Sequence, residues 1–180
     1  MTGGKDPEGT PDASPARVGF GFDAHAFDDS RPLVLGGVTI AGARGLVGWS
    51  DADVLSHALA DALLGAAGLG DLGTHFPAEA VAEGCSSLEL LGATARLVSE
   101  AGLGVANADC LVILEGVRVA PYRGEMERLL ASALGVDAGR VNVKATSTDH
   151  LGFVGRGEGA AAMAVVLLKV VPGERPAARE

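Results

Sequence analysis

The sequence predicts a small α/β (α+β) domain: one mixed β-sheet with helices packed on a face. Strand-like and helix-like segments mix along the chain without strict alternation, which argues against a purely parallel sheet. The chain has 180 residues, 48% of them apolar, enough for one domain with its own core. It also has 27 glycines and only 4% aromatic residues, so its elements approach one another over small side chains.

The elements follow in order. Residues 1–16, "MTGGKDPEGTPDASPA", are rich in Pro, Gly and small polar residues and are expected to form a disordered tail. The domain is expected over 17–172. "RVGFGFDAHAF" reads as a first strand and "RPLVLGGVTI" as a second. Ser50 to about Ala67 reads as a helix whose apolar stripe is Val54, Leu55, Ala58, Leu59, Ala62 and Leu63. "GLGDLGTHFPAEAVAEG" is a loop with room for one helical turn. "SSLELLGATARLVSEAG" is an amphipathic helix ended by Gly102. "NADCLVILEG" is a strand. "APYRGEMERLLASALG" is a helix with Pro121 near its first turn and Gly135 past its end. "RVNVKATST" and "GRGEGAAAMAVVLLKVV" are the last two strands, and 173–180 is a loose tail.

Charge narrows the function. The net charge of −9 and pI near 4.8 lack the basic footprint that nucleic acid requires. An acidic protein acting on a phosphorylated substrate would need local cations, most simply bound metals. Cys85 and Cys110 stand in unrelated contexts and read as reduced thiols. No apolar leader opens the sequence, and the longest apolar run, "GAAAMAVVLLKVV", is too short and interrupted to span a bilayer. The expectation is a cytoplasmic protein with no membrane partner.

"GWSDADVLSHALADALLG" poses the main question. Ser50 and Asp53 fit a capping box. Asp53, His57 and Asp61 repeat every four residues and so share a helix face, which by itself reads as solvated. "GFDAHAF" adds Asp23 and His25, two apart on a strand and therefore on one side, with Gly19 and Gly21 removing bulk from that same side. A strand Asp-x-His plus one helix histidine makes three protein ligands with a fourth position open, the pattern of a catalytic zinc. The competing reading is a hydrogen-bonded pair at a strand end, and spacing alone does not bring His57 to it. Asp61 is either an outer-shell partner of a ligand imidazole or solvent-exposed.

Five blocks in this order, "VGFGFDAHAF", "LGGVTI", "SDADVLSHALADALLGAAGLGDLG", "NADCLVI" and "VNVKATSTDHLGFVGRGEG", resemble the 2-C-methyl-D-erythritol 2,4-cyclodiphosphate synthase family from about Arg17 to Val171. The resemblance implies a homotrimer with active sites between neighbouring subunits. It implies conversion of 4-diphosphocytidyl-2-C-methyl-D-erythritol 2-phosphate into the cyclic diphosphate and CMP, in non-mevalonate isoprenoid synthesis. It assigns one divalent metal per subunit, zinc in most members, to Asp23, His25 and His57. Ala24 lies between two of these ligands on the substrate side, and Ser50 lies near the diphosphate. Asp71, Leu72, Gly73 and Phe76 match the segment that holds the methylerythritol; from residues alone "GDLG" reads equally as a helix end and turn. Leu114 to Ala120, with Arg118, match the cytidine pocket wall. Thr146, Ser147, Thr148 and Asp149 match the segment on the nucleotide phosphates, where Asp149 would hold a second divalent cation, magnesium or manganese. Phe153 and Arg156 match further substrate-side positions; Arg156 and Glu158 read alternatively as a paired strand start.

Several positions depart from the family pattern. Trp49 stands where the family has a histidine that touches the phosphates, and Trp49 and Ser147 occupy the two positions implied to be catalytic. Ser147 replaces threonine and keeps the hydroxyl. Asp149 replaces glutamate, Val117-Arg118 replace Pro-Lys, and Ala78 and Ala80 replace aspartates. All three metal ligands are intact. The alternatives are a homologue that binds an isoprenoid diphosphate without turnover, and a metal-dependent phosphohydrolase on the same scaffold.

Overall fold

Residues 16–171 are described by the computed structural model, and one long hairpin sets the layout of its sheet. β1 runs Arg17–Leu35 and β2 Val38–Leu46. The predicted strand over 31–40 is cut by the turn at Gly36 and Gly37, whose φ angles of +54° and +78° suit glycine. Its first half finishes β1 and its second half begins β2.

β5, Gly159–Val170, lies between β1 and β3, Leu103–Ile113, antiparallel to both, and β4, Val141–Thr146, pairs parallel with β3. The order is β2-β1-β5-β3-β4, a mixed five-stranded sheet as predicted. β3 begins four residues earlier than expected. β5 begins later, because Gly152–Gly155 form the one-turn helix α5.

Helices α1 (Val54–Ala67), α3 (Ser87–Glu100) and α4 (Arg123–Leu134) pack against the sheet and one another; α2 (Leu72–His75) is a single turn in the expected loop. Along β1 the residues alternate. Gly19 and Gly21 are buried against α1, while Val18, Phe20 and Phe22 stand exposed on the opposite face. A Cβ built on Gly19 would lie 1.9 Å from the Ala62 carbonyl oxygen, and one on Gly21 1.9 Å from that of Ala58. Only glycine lets the helix backbone rest on the strand.

α1 starts at Val54, not Ser50, and is buried on nearly every side. Its N-cap is Asp53, which is fully buried, so the predicted polar face of Asp53, His57 and Asp61 is not one solvated stripe. The Asp53 carboxylate accepts from the backbone N–H groups of Gly36, Gly37, Leu55 and Ser56 and from the Ser56 hydroxyl, tying the hairpin turn to the helix start. The tails expected at 1–16 and 173–180 lie, apart from Ala16, outside the described residues. Among the described residues, no helix is long and apolar enough to cross a membrane.

Candidate metal centre

The glycine contact that seats α1 on β1 also brings His57 to Asp23 and His25. Asp23 Oδ2 lies 2.8 Å from His25 Nε2 and 3.0 Å from His57 Nδ1, and the two nitrogens are 3.3 Å apart. Three ligand atoms thus fall within 4.8 Å of one another, half-buried. His25 Nδ1 donates to the Val47 carbonyl, and His57 Nε2 faces the hydroxyls of Ser50 and Ser87 at 3.1 and 3.0 Å. A neutral His25 ring therefore directs its Nε2 lone pair inward, and a protonated one donates from Nε2 to Asp23, while the two hydroxyls, which donate or accept, allow the His57 hydrogen on either nitrogen. Burial pushes the Asp23 carboxyl up, but the hydrogen bonds and charge of His25 and His57 outweigh it and hold the carboxyl well below the usual carboxylate range. Asp23 in turn raises the His25 imidazole above its ordinary value. Two imidazole nitrogens and an anionic oxygen converging on one point suit a divalent cation, which would displace the protons between them.

Asp61 does not reach the ligand histidines as an outer-shell partner. Its carboxylate accepts from the Leu72 backbone N–H at 2.7 Å and anchors the start of α2. Asp71 caps that turn, accepting from Thr74 N–H at 2.8 Å and its hydroxyl at 2.7 Å. Leu72 and Phe76 are half-buried, and Gly73 is exposed at the same turn. Ser50, expected as a cap, is buried beside His57, and its oxygen also accepts from Ala52 N–H at 3.1 Å. Trp49 is 48% exposed, and its indole N–H donates to the Val81 carbonyl at 3.0 Å.

The second group of expected residues gathers at the carboxyl ends of β3 and β4. A cavity of about 470 Å³ is lined by Leu114, Val117, Arg118, Val119, Thr146 and Ser147. Thr148 and Asp149 follow in a loop where Asp149 and His150 both take positive φ, +50° and +66°. Phe153 is 39% exposed on α5. Arg156 is paired bidentately with Glu158, at 2.7 and 3.0 Å. Ala24, Ala161, Ile113 and Thr146 form one row across the sheet. The row puts three strand spacings, roughly 14 Å, between β1 beside Asp23 and His25 and β4 beside the cavity.

Four residues with roles at these sites escaped the sequence reading. Ser87 and Asp51 stand behind His57. Arg31 donates to the carbonyls of Gly48 and Ser50 and so holds the segment before α1. Glu115 accepts from the N–H groups of Thr148 and His150 at 3.0 and 3.3 Å, fixing the loop above the cavity. The bonds to Thr148 and His150 hold its carboxyl below the ordinary value. Each link joins residues distant in sequence; only the dense polar run "WSDAD" hinted at any of them.

The sequence profile of the YgbB family matches residues 16–169. The chain belongs to this family. The 2-C-methyl-D-erythritol 2,4-cyclodiphosphate synthase of Syntrophobacter fumaroxidans is 54% identical over 154 residues, covering 85% of this chain and 97% of that protein. The bifunctional IspDF of Campylobacter jejuni superposes with a TM-score of 0.84 at 42% identity, over 87% of this chain and 43% of its own. The IspF of Plasmodium falciparum in complex with CDP superposes with a TM-score of 0.77 at 27% identity, over 88% of this chain and 98% of its own. The matched residues include Asp23, His25 and His57, the cavity lining and all five strands but for Val170.

Proposed function

We infer that the chain is a phosphorus–oxygen lyase that cyclises 4-diphosphocytidyl-2-C-methyl-D-erythritol 2-phosphate to 2-C-methyl-D-erythritol 2,4-cyclodiphosphate and releases CMP, in non-mevalonate isoprenoid synthesis. The observation that carries this reading is the convergence of Asp23, His25 and His57 in a chain aligned nearly end to end with a synthase of that name. An oxygen of the substrate's 2-phosphate bonds to the β-phosphorus, the bond to CMP breaks, and CMP leaves with the electron pair. Nucleophile and electrophile share one molecule, so the chain's main task is to fold the substrate in line. A phosphate monoester is already anionic near neutral pH, so no side-chain base is required.

A divalent cation, zinc in this reading, held by Asp23, His25 and His57, supplies Lewis-acid charge stabilisation to the phosphates. Ser50 and Ala24 border that position. Asp71, Leu72, Gly73 and Phe76 would hold the sugar. The cavity at Leu114–Ala120 would take the cytidine, while Thr146, Ser147, Thr148 and Asp149 face its phosphates, and Phe153 and Arg156 border them. Among the described residues Asp149 belongs to no carboxylate cluster. A magnesium or manganese ion there would take most of its ligands from substrate phosphate and water.

The roughly 14 Å between the two regions supports sites shared between neighbouring subunits of a homotrimer. The exposed face of Val18, Phe20, Phe22 and Val165 supports the same assembly. The proposed setting is the cytoplasm. Phosphorus NMR on the authentic substrate tests the reaction: cyclic diphosphate and CMP are expected. An unchanged spectrum would leave a binding protein, and an uncyclised product a phosphohydrolase. Light scattering is expected to give three times the 18.0 kDa subunit mass, and a monomer would overturn the shared site.

Trp49 occupies a proposed catalytic position, but its N–H is engaged by Val81. Its contribution is therefore to anchor the 77–85 loop and exclude water. Trp49→Ala is expected to slow CMP release at saturating substrate. Trp49→His adds a group that can be protonated beside the phosphates and is expected to raise the rate within about tenfold, roughly 1.4 kcal/mol in barrier. An unchanged rate in Trp49→Ala would remove the indole from turnover.

A further inference from the structure

We propose that Asp51, acting through the Ser87 hydroxyl, is a positioning residue that keeps an acceptor in front of His57 Nε2–H and so favours the tautomer that offers Nδ1 to the cation. The proposal deepens the metal reading above and rests on it.

The argument is one of hydrogen-bond direction. Ser87 Oγ contacts Asp51 Oδ1, and Ser87 N–H lies 3.2 Å from both Asp51 oxygens. The same Ser87 Oγ lies 3.0 Å from His57 Nε2 and 3.1 Å from Ser50 Oγ. A carboxylate only accepts, so the single Ser87 proton is committed to Asp51. Ser87 Oγ is left with lone pairs only and is an acceptor for His57 Nε2–H whenever Nδ1 is given to the cation. Ser50 Oγ, 3.1 Å from the same Nε2, accepts from Ala52 N–H and can send its proton to Ser87. With a cation on Nδ1, the atom 3.0 Å from Asp23 Oδ2, His57 carries its hydrogen on Nε2 and this network receives it; without the cation, Asp23 competes for a hydrogen on Nδ1. Ser87 and Ser50 are 1% and 5% exposed, so bulk water does not compete for these bonds. Were Ser87 to donate to His57 instead, its oxygen would face the Asp51 carboxylate with no proton between them. The Nε2 side of the ligand ring is thus held by a carboxylate two hydrogen bonds away that never touches it.

Asp51→Asn tests the relay at constant shape, because an amide at that position can donate to Ser87 and reverse its direction. Zn²⁺ affinity of the full chain, measured by competition with a chromogenic chelator, is expected to fall about ten- to hundredfold in Asp51→Asn and in Ser87→Ala. Ser87→Thr keeps the hydroxyl and is expected to restore the parent value. In the chelator-stripped full chain, nitrogen-15 NMR of the imidazoles is expected to show a smaller Nε2-protonated share of His57 in Asp51→Asn than in the parent. Parent-like Zn²⁺ affinity in both Asp51→Asn and Ser87→Ala would overturn the relay, as would an Nε2-protonated share unchanged by Asp51→Asn. A parent that binds no Zn²⁺ would overturn the metal reading instead, and the nitrogen-15 result would still judge the relay.

Discussion

His57→Ala is expected to strip the divalent cation and lower CMP release on the order of a thousandfold, the equivalent of several kcal/mol of lost charge stabilisation. The chain is expected to stay folded. His57 is half-buried, and its ring contacts polar partners, Asp23, His25, Ser50 and Ser87, rather than the apolar core. Elemental analysis of variant and parent, alongside the turnover assay, separates loss of metal from loss of fold. Equal metal in the two proteins would remove His57 from the ligand set.

Asp53→Asn is expected to lower the stability of the fold by about 3 kcal/mol, without any direct change to the cation ligands. The Asp53 carboxylate is fully buried and accepts five hydrogen bonds, at 2.7 to 3.2 Å. Burial pushes its carboxyl up, and the bonds from Ser56, Gly36 and Gly37 pull the other way. An amide keeps one acceptor oxygen and turns a donor toward backbone N–H groups, which only donate. One backbone N–H, on Gly37 or at the first turn of α1, then loses its partner in a buried place. Urea unfolding followed by circular dichroism measures the effect, and a midpoint equal to the parent's would show that the five bonds contribute nothing net.

Local patterns were legible in the sequence; the long-range joins were not. The alternation through Gly19, Gly21, Asp23 and His25 is a property of one strand, and it put Asp23 and His25 on one side with the two glycines, the side on which α1 packs. The helix termini at Gly102 and Gly135 and the mixed sheet were likewise readable. Gly36-Gly37 was misread because its apolar flanks continue the strand pattern on both sides, although paired glycines are a hairpin signal. Asp53 was misread because periodicity cannot tell a charge facing water from one facing backbone N–H groups. The meeting of His57 with Asp23 spans 34 residues, and that of Ser87 with His57 spans 30. No local rule fixes either distance. Family resemblance supplied the first, and nothing in the chain's local chemistry supplied the second.

The two glycines of β1 couple the fold to its chemistry in a way that limits how the sequence can drift. Neither Gly19 nor Gly21 has a side chain to offer a cation, yet a single added methyl at either would meet the α1 backbone, drive the helix off the strand and carry His57 with it. The spacing of the ligands is thus written in the absence of side chains. A tolerance scan across this domain would find two of its least replaceable positions among residues with no functional group at all.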